Sequence, residues 1–425
     1  MKIRFFNARI LTMEKGKEPF LGELRVKDDK IEKILREEDK VASSETEIWD
    51  EEIDCGGNLL MPGFKNAHTH SPMTFLRSYA DDLPLNQWLY DRVFPMEAKL
   101  SDEAMYEFAR LAVLEYLAGG ITSVFDMYLK PELTAKACMD MGMRCVLVSG
   151  LNDFTSSPKQ MEEEYNTLNQ LSPLIQYRLG FHAEYTCSRA LLEQVSQLSH
   201  KYETPVYCHL SETEKEVSDC RKKYGMTPTA FLDSLGIFDY GGGGYHCVYM
   251  SEEDLSIFQK HGLYVVTNPA SNLKLASGIA PIAEFEKRGI PVAIGTDGAA
   301  SNNCLDMFRE MFLVSGLSKV LTKDAASTDA CDVLRMATVN GSLAMGIPET
   351  DVLSEGKLAD LILIDLNQPN MHPFHNIPKN LVYSGNKGNI LLTMINGNIL
   401  YRDGRYPGVD AQEIYFRCEE LLKRM

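Results

Sequence analysis

The sequence predicts an α/β chain, a closed (β/α)8 TIM barrel carrying a small β-sandwich domain built from both chain termini. Three observations lead there. Eight apolar, strand-like runs alternate with helical stretches through the middle of the chain; both ends hold short strands and turns; and polar residues of metal-ligand type stand where several central runs give way to loops. Continuous apolar strands separated by helices mark a parallel sheet covered on both faces. Eight such units close into a barrel whose chemistry sits at the C-terminal ends of its strands. A doubly wound open sheet would want a glycine-rich phosphate loop after its first strand, and His68-Thr69-His70 stands there instead.

In chain order, Ile3 to Thr12 is strand-like, Leu24 to Val26 and Ile31 to Ile34 flank a turn at Asp28-Asp29, and Glu47 to Leu60 alternates loosely. These strands are too short and too few to form a core alone. Partners exist at the other end, in Ala359 to Asp365 and in Leu391 to Tyr401, which folds at Asn396-Gly397, a strong hairpin signal. Residues 1–60 and 351–425, the latter with a terminal helix, are therefore assigned to the small domain and residues 61–350 to the barrel. The expected barrel strands are Leu60 to Ala67, Ile121 to Asp126, Arg144 to Leu151, Tyr177 to Glu184, Pro205 to Leu210, Gly244 to Tyr249, Tyr264 to Asn268 and Pro291 to Asp297. Between the first two, Ser101 caps a helix over Asp102 to Ala118, with Met105, Phe108, Ala112 and Tyr116 on one face and Gly119-Gly120 as the stop. Ser251 to Asp254 opens another with a capping-box pattern. The run Gly241 to Gly244 opens no helix and is expected to be a flexible loop.

Composition excludes some classes of partner. Lys+Arg 43 against Asp+Glu 60 gives a net charge of -17, and such a surface repels phosphate backbones and anionic membranes. Neither nucleic acid nor membrane is expected as a partner. Charges break the N-terminal apolar stretch too early for a signal peptide, and no apolar run approaches spanning length, so a cytoplasmic protein is expected. The 10 cysteines are scattered without a Cys-x-x-Cys pair, which fits reduced, buried thiols. P-loop, Gly-x-Ser-x-Gly and His-Glu-x-x-His motifs are absent.

The chemistry-bearing residues gather at strand ends. His68 and His70 are two apart, which on a strand puts them on one face roughly 6 to 7 Å apart. His209 and Glu212 follow the fifth expected strand, His246 belongs to the sixth and Asp297 ends the eighth. Imidazoles with one carboxylate suit a single divalent ion, zinc first, with iron or manganese as alternatives. Glu212, three residues past His209, is placed to move protons, and Asp297 could both ligate and relay. His200, His261, His372 and His375 lack this placement and read as structural. On the bare sequence Trp88 and Phe94 read as core and Glu97 as solvated.

A resemblance joins these pieces. Met61-Pro62-Gly63, His68-Thr69-His70-Ser71-Pro72-Met73, Tyr79 to Pro84 with Trp88, His209-Leu210-Ser211-Glu212-Thr213, Asn268 to Leu275 and Gly295 to Asn303 resemble the amidohydrolase superfamily. Within it they resemble the methylthioadenosine/S-adenosylhomocysteine deaminases and the related chlorohydrolases. The resemblance implies one metal on His68, His70, His209 and Asp297, Glu212 as proton shuttle, and His246 holding the attacking oxygen. It also implies substrate contacts from Glu97 to ribose, from His182 to purine, and from Trp88. The implied activity is deamination of the adenine of 5'-modified adenosines, with release of ammonia. Alternatives are hydrolysis of another aminated or chlorinated ring of triazine, guanine or pterin type, or a scaffold without chemistry. The partner expected is a small molecule, and assembly of identical chains is left open. Two departures stand out. The strand-four histidine lies in Phe181-His182-Ala183-Glu184-Tyr185 rather than Pro-His-Ser-Pro-Tyr, and where the resemblance implies a carboxylate-binding arginine the sequence has Ser149, with only Lys159 nearby.

Overall fold

In the computed structural model, which describes residues 1–39 and 48–425, sixteen strands form two separate sheets. Glu47, the start of one stretch read as extended, lies outside the described residues. The first sheet joins the two ends of the chain. It contains β1 (Lys2–Ile10), β2 (Phe20–Lys27), β3 (Lys30–Arg36), β4 (Glu51–Asp54), β5 (Leu59–Pro62), β14 (Leu361–Ile364), β15 (Ile390–Ile395) and β16 (Asn398–Arg402). Their order is β16-β15-β14-β5-β1-β2-β3, with β4 also paired to β1. Leu60 lies opposite both Ile10 and Leu363, so β5 is the strand that knits the termini together. The apolar face, including Ile3, Phe5, Leu24, Val26, Leu60, Leu361 and Met394, packs as one cluster.

The second sheet is the barrel: β6 (Phe64–Thr69), β7 (Ile121–Tyr128), β8 (Arg144–Ser149), β9 (Ile175–Ala183), β10 (Val206–Leu210), β11 (Gly242–His246), β12 (Tyr264–Thr267) and β13 (Val292–Ile294). Neighbours are parallel and follow chain order. The seam between β13 and β6 is closed by side chain and loop rather than by a ladder. Asn66 bonds Thr296 through both ends of its amide (2.7 and 2.8 Å), and the Asp297 N–H donates to the His68 carbonyl at 3.0 Å. That seam sets Asp297 beside the two histidines of the first barrel strand. Inside, Phe125, Val146, Tyr207, Tyr245, Val266 and Ala293 fill the barrel, with Ala344, Met345 and Ile347 packed against them.

Two expectations are corrected. The run Leu60 to Ala67 is two strands: Leu59–Pro62 belongs to the terminal sheet, and the barrel begins at Phe64. Gly242, Gly243 and Gly244 are not a loop but lie in β11. A Cβ at Gly242 would stand 1.9 Å from the Val206 carbonyl oxygen, so close packing against β10 selects glycine there.

The helix Asp102–Ala118 begins with the Ser101 hydroxyl accepting from the Ala104 N–H (3.1 Å) and ends at Gly119. From its buried face the Tyr116 hydroxyl meets Thr69 Oγ1 (2.8 Å) and Ser71 Oγ (3.0 Å), bracing the turn that carries His70. At the opposite end of the barrel, Arg144 at the start of β8 makes a bidentate pair with Asp360 of the terminal sheet (2.6 and 3.1 Å). All ten cysteines are free. No described helix is long and apolar enough to cross a membrane.

Candidate active site

The strand ends converge on one chamber. The ligand-type atoms of His68, His209 and His246 lie within 4.8 Å of one another, as do those of His68, His70 and Asp297. His68 stands in the middle, fully buried and stacked on Tyr245 with ring centroids 3.8 Å apart. Its neighbours are His70 and His209, at centroid distances of 4.8 and 4.9 Å. Gly295 permits this crowding, because a Cβ there would sit 2.7 Å from that of His68.

Hydrogen bonds outside the cluster fix which way each ring faces. His70 Nδ1 donates to the Met127 carbonyl, His209 Nδ1 to the His182 carbonyl (2.7 Å), and His246 Nδ1 to Asn272 Oδ1 (2.7 Å). An oxygen that can only accept forces the proton onto Nδ1 and leaves an Nε2 lone pair for the centre, the usual outer support of a metal-ligating imidazole. His68 has no hydrogen-bond partner on either nitrogen. A buried orphan of this kind costs about 1 to 3 kcal/mol, and a metal ion in the middle of the cluster would satisfy the nitrogen that faces it. The donor set therefore fits a divalent cation.

The carboxylates are as firmly held. Asp297 Oδ1 lies 3.1 Å from His70 Nε2 and 3.7 Å from His68 Nε2, while Oδ2 accepts from Ser271 (2.6 Å) and Ser301 (3.0 Å). Burial opposes its ionisation, but the hydrogen bond from His70 and the surrounding histidines hold the carboxyl well below the usual range. Burial likewise keeps His68 and His209 well below the ordinary imidazole value. For His70 burial is outweighed by Asp297, which faces its Nε2 and pushes it up to about 9, so this nitrogen holds a proton that a bound cation would have to displace to use the lone pair. Glu212 Oε1 accepts from Ser277 (2.9 Å), and its Oε2 lies 3.8 Å from His246 Nε2. His246 (φ 71°), Asp297 (φ 60°) and Ser211 (φ 51°) all have left-handed backbones. Each costs of order 1 to 3 kcal/mol in a residue other than glycine, and such strain gathers where function over-determines the chain.

The chamber, about 60 Å³, is lined by His70, Trp88, His182, His209, Glu212, His246 and Asp297, among others. It adjoins a larger cavity of about 430 Å³ that shares His70, Met73, Leu89 and His182 with it. Glu97 lines that outer cavity beside Phe94 and Tyr128, and burial pushes its carboxyl up despite Tyr128 and His70 nearby. The nine residues singled out in the sequence are thus around one connected space, with His68 beneath it. Phe94, read as core, lines the outer cavity. Ser149 does not: it is buried, and its hydroxyl accepts from the Leu151 N–H (3.1 Å). Gly150, Asn152, Phe154 and Thr155 form the wall instead, and Lys159 is exposed beside Glu163. His200 and His261 pair with Asp239 and Asp233 and line neither space.

The sequence reading missed Asn272, Ser271, Ser301 and Ser277, which hold His246, Asp297 and Glu212. It also missed Glu216, whose buried carboxyl oxygens accept from the backbone N–H groups of Ser211 (2.6 Å) and Glu212 (2.8 Å). Thr213-x-x-Glu216 is a capping-box pattern and could have flagged the glutamate, though only as a helix start.

A parallel barrel with imidazoles and a carboxylate converging at its C-terminal mouth is the architecture of a metal-dependent hydrolase. Residues 59–400 match the profile of the Amidohydrolase family, and the chain belongs to that family. A 5-methylthioadenosine/S-adenosylhomocysteine deaminase from Caldicellulosiruptor saccharolyticus is 39% identical over 425 residues, covering 100% of this chain and 98% of the relative. A 5'-deoxyadenosine deaminase from Methanopyrus kandleri is 37% identical over 388 residues, 90% of each chain. Among solved structures, an adenosine deaminase from Xanthomonas campestris with bound zinc superposes with a TM-score of 0.93 at 31% identity, covering 100% of this chain and 98% of that one.

Proposed function

We propose that this enzyme is a hydrolytic deaminase of the adenine ring in 5'-modified adenosines, with 5'-substituents that are short and uncharged. The observation that carries the reading is the pairing of Glu212 with His246 across a chamber built on the His68, His70, His209 and Asp297 cluster, opening into a cavity roomy enough for a nucleoside. The activities named for the two relatives, both aligned over most of the chain, support the choice of ring.

His68, His70, His209 and Asp297 would hold the ion, with zinc favoured by the nitrogen-rich donor set. When bound, such an ion supplies a water acidic enough to attack at neutral pH. The chain's own groups do the rest. His246, its ring fixed by Asn272, orients the attacking oxygen at the amino-bearing ring carbon. Glu212 takes the first proton of the attacking water and delivers it to the adjacent ring nitrogen, Asp297 takes the second and passes it to the amine, and the carbon–nitrogen bond breaks as ammonia leaves. His182 and Trp88 flank the ring, and Glu97 accepts from the ribose hydroxyls. Purified protein is expected to carry about one divalent ion per chain, and elemental analysis decides it; metal-free protein with full turnover would refute the ligand assignment.

The outer cavity determines the 5'-group. Its lining, which includes Phe94, Leu129 and Phe154, contains no lysine or arginine among the described residues, and Glu97 is its one acid. A carboxylate-bearing tail therefore lacks a charge-assisted contact worth about 1.5 to 3 kcal/mol, or roughly 10- to 150-fold in efficiency. Methylthioadenosine, 5'-deoxyadenosine and adenosine are expected to show higher kcat/KM than S-adenosylhomocysteine. Because Ser149 faces elsewhere, Thr155→Arg is the substitution expected to narrow the gap. Steady-state kinetics on the four nucleosides test this, and a preference for S-adenosylhomocysteine would overturn it.

A further inference from the structure

We propose that Glu216 and Ser277 are positioning residues that fix Glu212 for proton transfer, the first through the backbone and the second through the carboxylate. The inference rests on the reading of Glu212 as the proton carrier. It begins with a departure from a local rule. Thr213 is the N-cap of the helix Glu214–Tyr224, its hydroxyl accepting from the Glu216 N–H at 3.2 Å. In a capping box the glutamate at the third helical position reaches back to the N–H of the cap residue itself. Glu216 reaches past Thr213 instead, one oxygen to the Ser211 N–H and the other to the Glu212 N–H. Half of the box has been given to the loop.

The loop needs that anchor. With Ser211 left-handed (φ 51°), two successive N–H groups converge on one carboxyl group, a concave arrangement suited to an acceptor with two oxygens. Burial and the neighbouring Glu212 carboxylate push the Glu216 carboxyl up to about 8 against the pull of these two N–H groups, so the anchor is the pair of short bonds at 2.6 and 2.8 Å rather than a full charge. On the other side, the Ser211 carbonyl accepts from the N–H groups of Val248 (3.1 Å) and Tyr249 (2.9 Å), tying the loop to the segment just past His246. Ser277 then engages Oε1 of Glu212 and leaves Oε2 as the oxygen nearest His246. Helix capping alone would not require an acid to be buried among these groups, since an exposed glutamate or a glutamine does that work.

The test compares Glu216→Gln, Ser277→Ala and Glu212→Gln as metal-loaded enzymes. Glutamine keeps the shape and remains an acceptable box residue, but turns an amide N–H toward a backbone N–H. Displacing a reacting group by about 1 Å can cost 10²-fold. On that scale kcat per bound metal should fall about 10- to 100-fold in Glu216→Gln and about 10-fold in Ser277→Ala. KM should stay within about threefold and metal content should not change. A merely structural role would lower the folded fraction and leave kcat per bound metal alone. Values within twofold of the parent enzyme in both variants overturn the proposal, and Ser277→Ala decides alone should Glu216→Gln fail to fold. If Glu212→Gln keeps its turnover, the proton-carrier reading fails first; if it is inactive while the other two are normal, only the positioning role fails.

Discussion

Glu212→Gln is expected to keep fold, metal and substrate binding while lowering turnover by about 10²- to 10⁴-fold, the scale for removing a general acid–base. An unprotonated amino group is a very poor leaving group, so both ring nitrogen and amine must gain protons before the carbon–nitrogen bond breaks and ammonia departs. Glu212 is the carboxylate that lines the inner chamber without direct contact to the His68–His70 pair. Asp297 already meets both histidines and two serine hydroxyls. A glutamine at 212 can still accept from Ser277, so the loop should hold its shape. His68→Ala is expected to behave differently, losing metal and activity together, because the central imidazole of the cluster is gone. Metal analysis beside kcat and KM separates the two cases. Near-normal turnover in Glu212→Gln would reassign the proton path, with His246 as the next candidate.

How much of this was legible in the sequence depended on where each contact lies along the chain. Barrel strands announce themselves as local apolar runs, and a ligand-type residue at the end of such a run is visible without knowing its partners. His68, His70, His209, His246 and Asp297 could therefore be picked out one strand at a time. The support for those residues could not. Asn272 reaches His246 across 26 positions, and Ser277 reaches Glu212 across 65; a serine or asparagine in a loop gives no sign of what it will hold. The stretch Leu59 to Thr69 shows the limit of hydrophobic pattern. Both halves are buried, and only strand pairing assigns the first to the terminal sheet and the second to the barrel. At Gly242 to Gly244 local propensity pointed away from a strand, and contact with Val206 across the ladder outweighed it. Ser149 was misjudged for a similar reason: burial at the end of β8 turns its hydroxyl to the backbone, and the residues just after it reach the cavity.

The largest effect on stability is expected far from the chemistry, at Asp360→Ala. Arg144 and Asp360 join the barrel to the terminal sheet with side chains only 3% and 0% exposed. The guanidinium also meets the Pro173 carbonyl and Asn396 Oδ1, and Asp360 accepts from the Asn396 N–H at 2.8 Å. Burying such a pair brings little net stability, because desolvation offsets the attraction. Removing one partner is another matter, since the remaining charge is trapped without compensation, at a cost of about 3 to 5 kcal/mol. Asp360→Ala should therefore unfold at markedly lower denaturant or temperature than the parent protein. The double variant Arg144→Met/Asp360→Leu, which replaces both charges by apolar groups, should recover most of the loss. The latch lies at the N-terminal ends of the strands, so kcat per bound metal should be unchanged in whatever fraction stays folded. Denaturant melts of the single and double variants decide the matter: a single variant as stable as the parent would mean that water or Asn396 satisfies Arg144, and a double variant no better than the single would place the effect in lost packing rather than in the stranded charge.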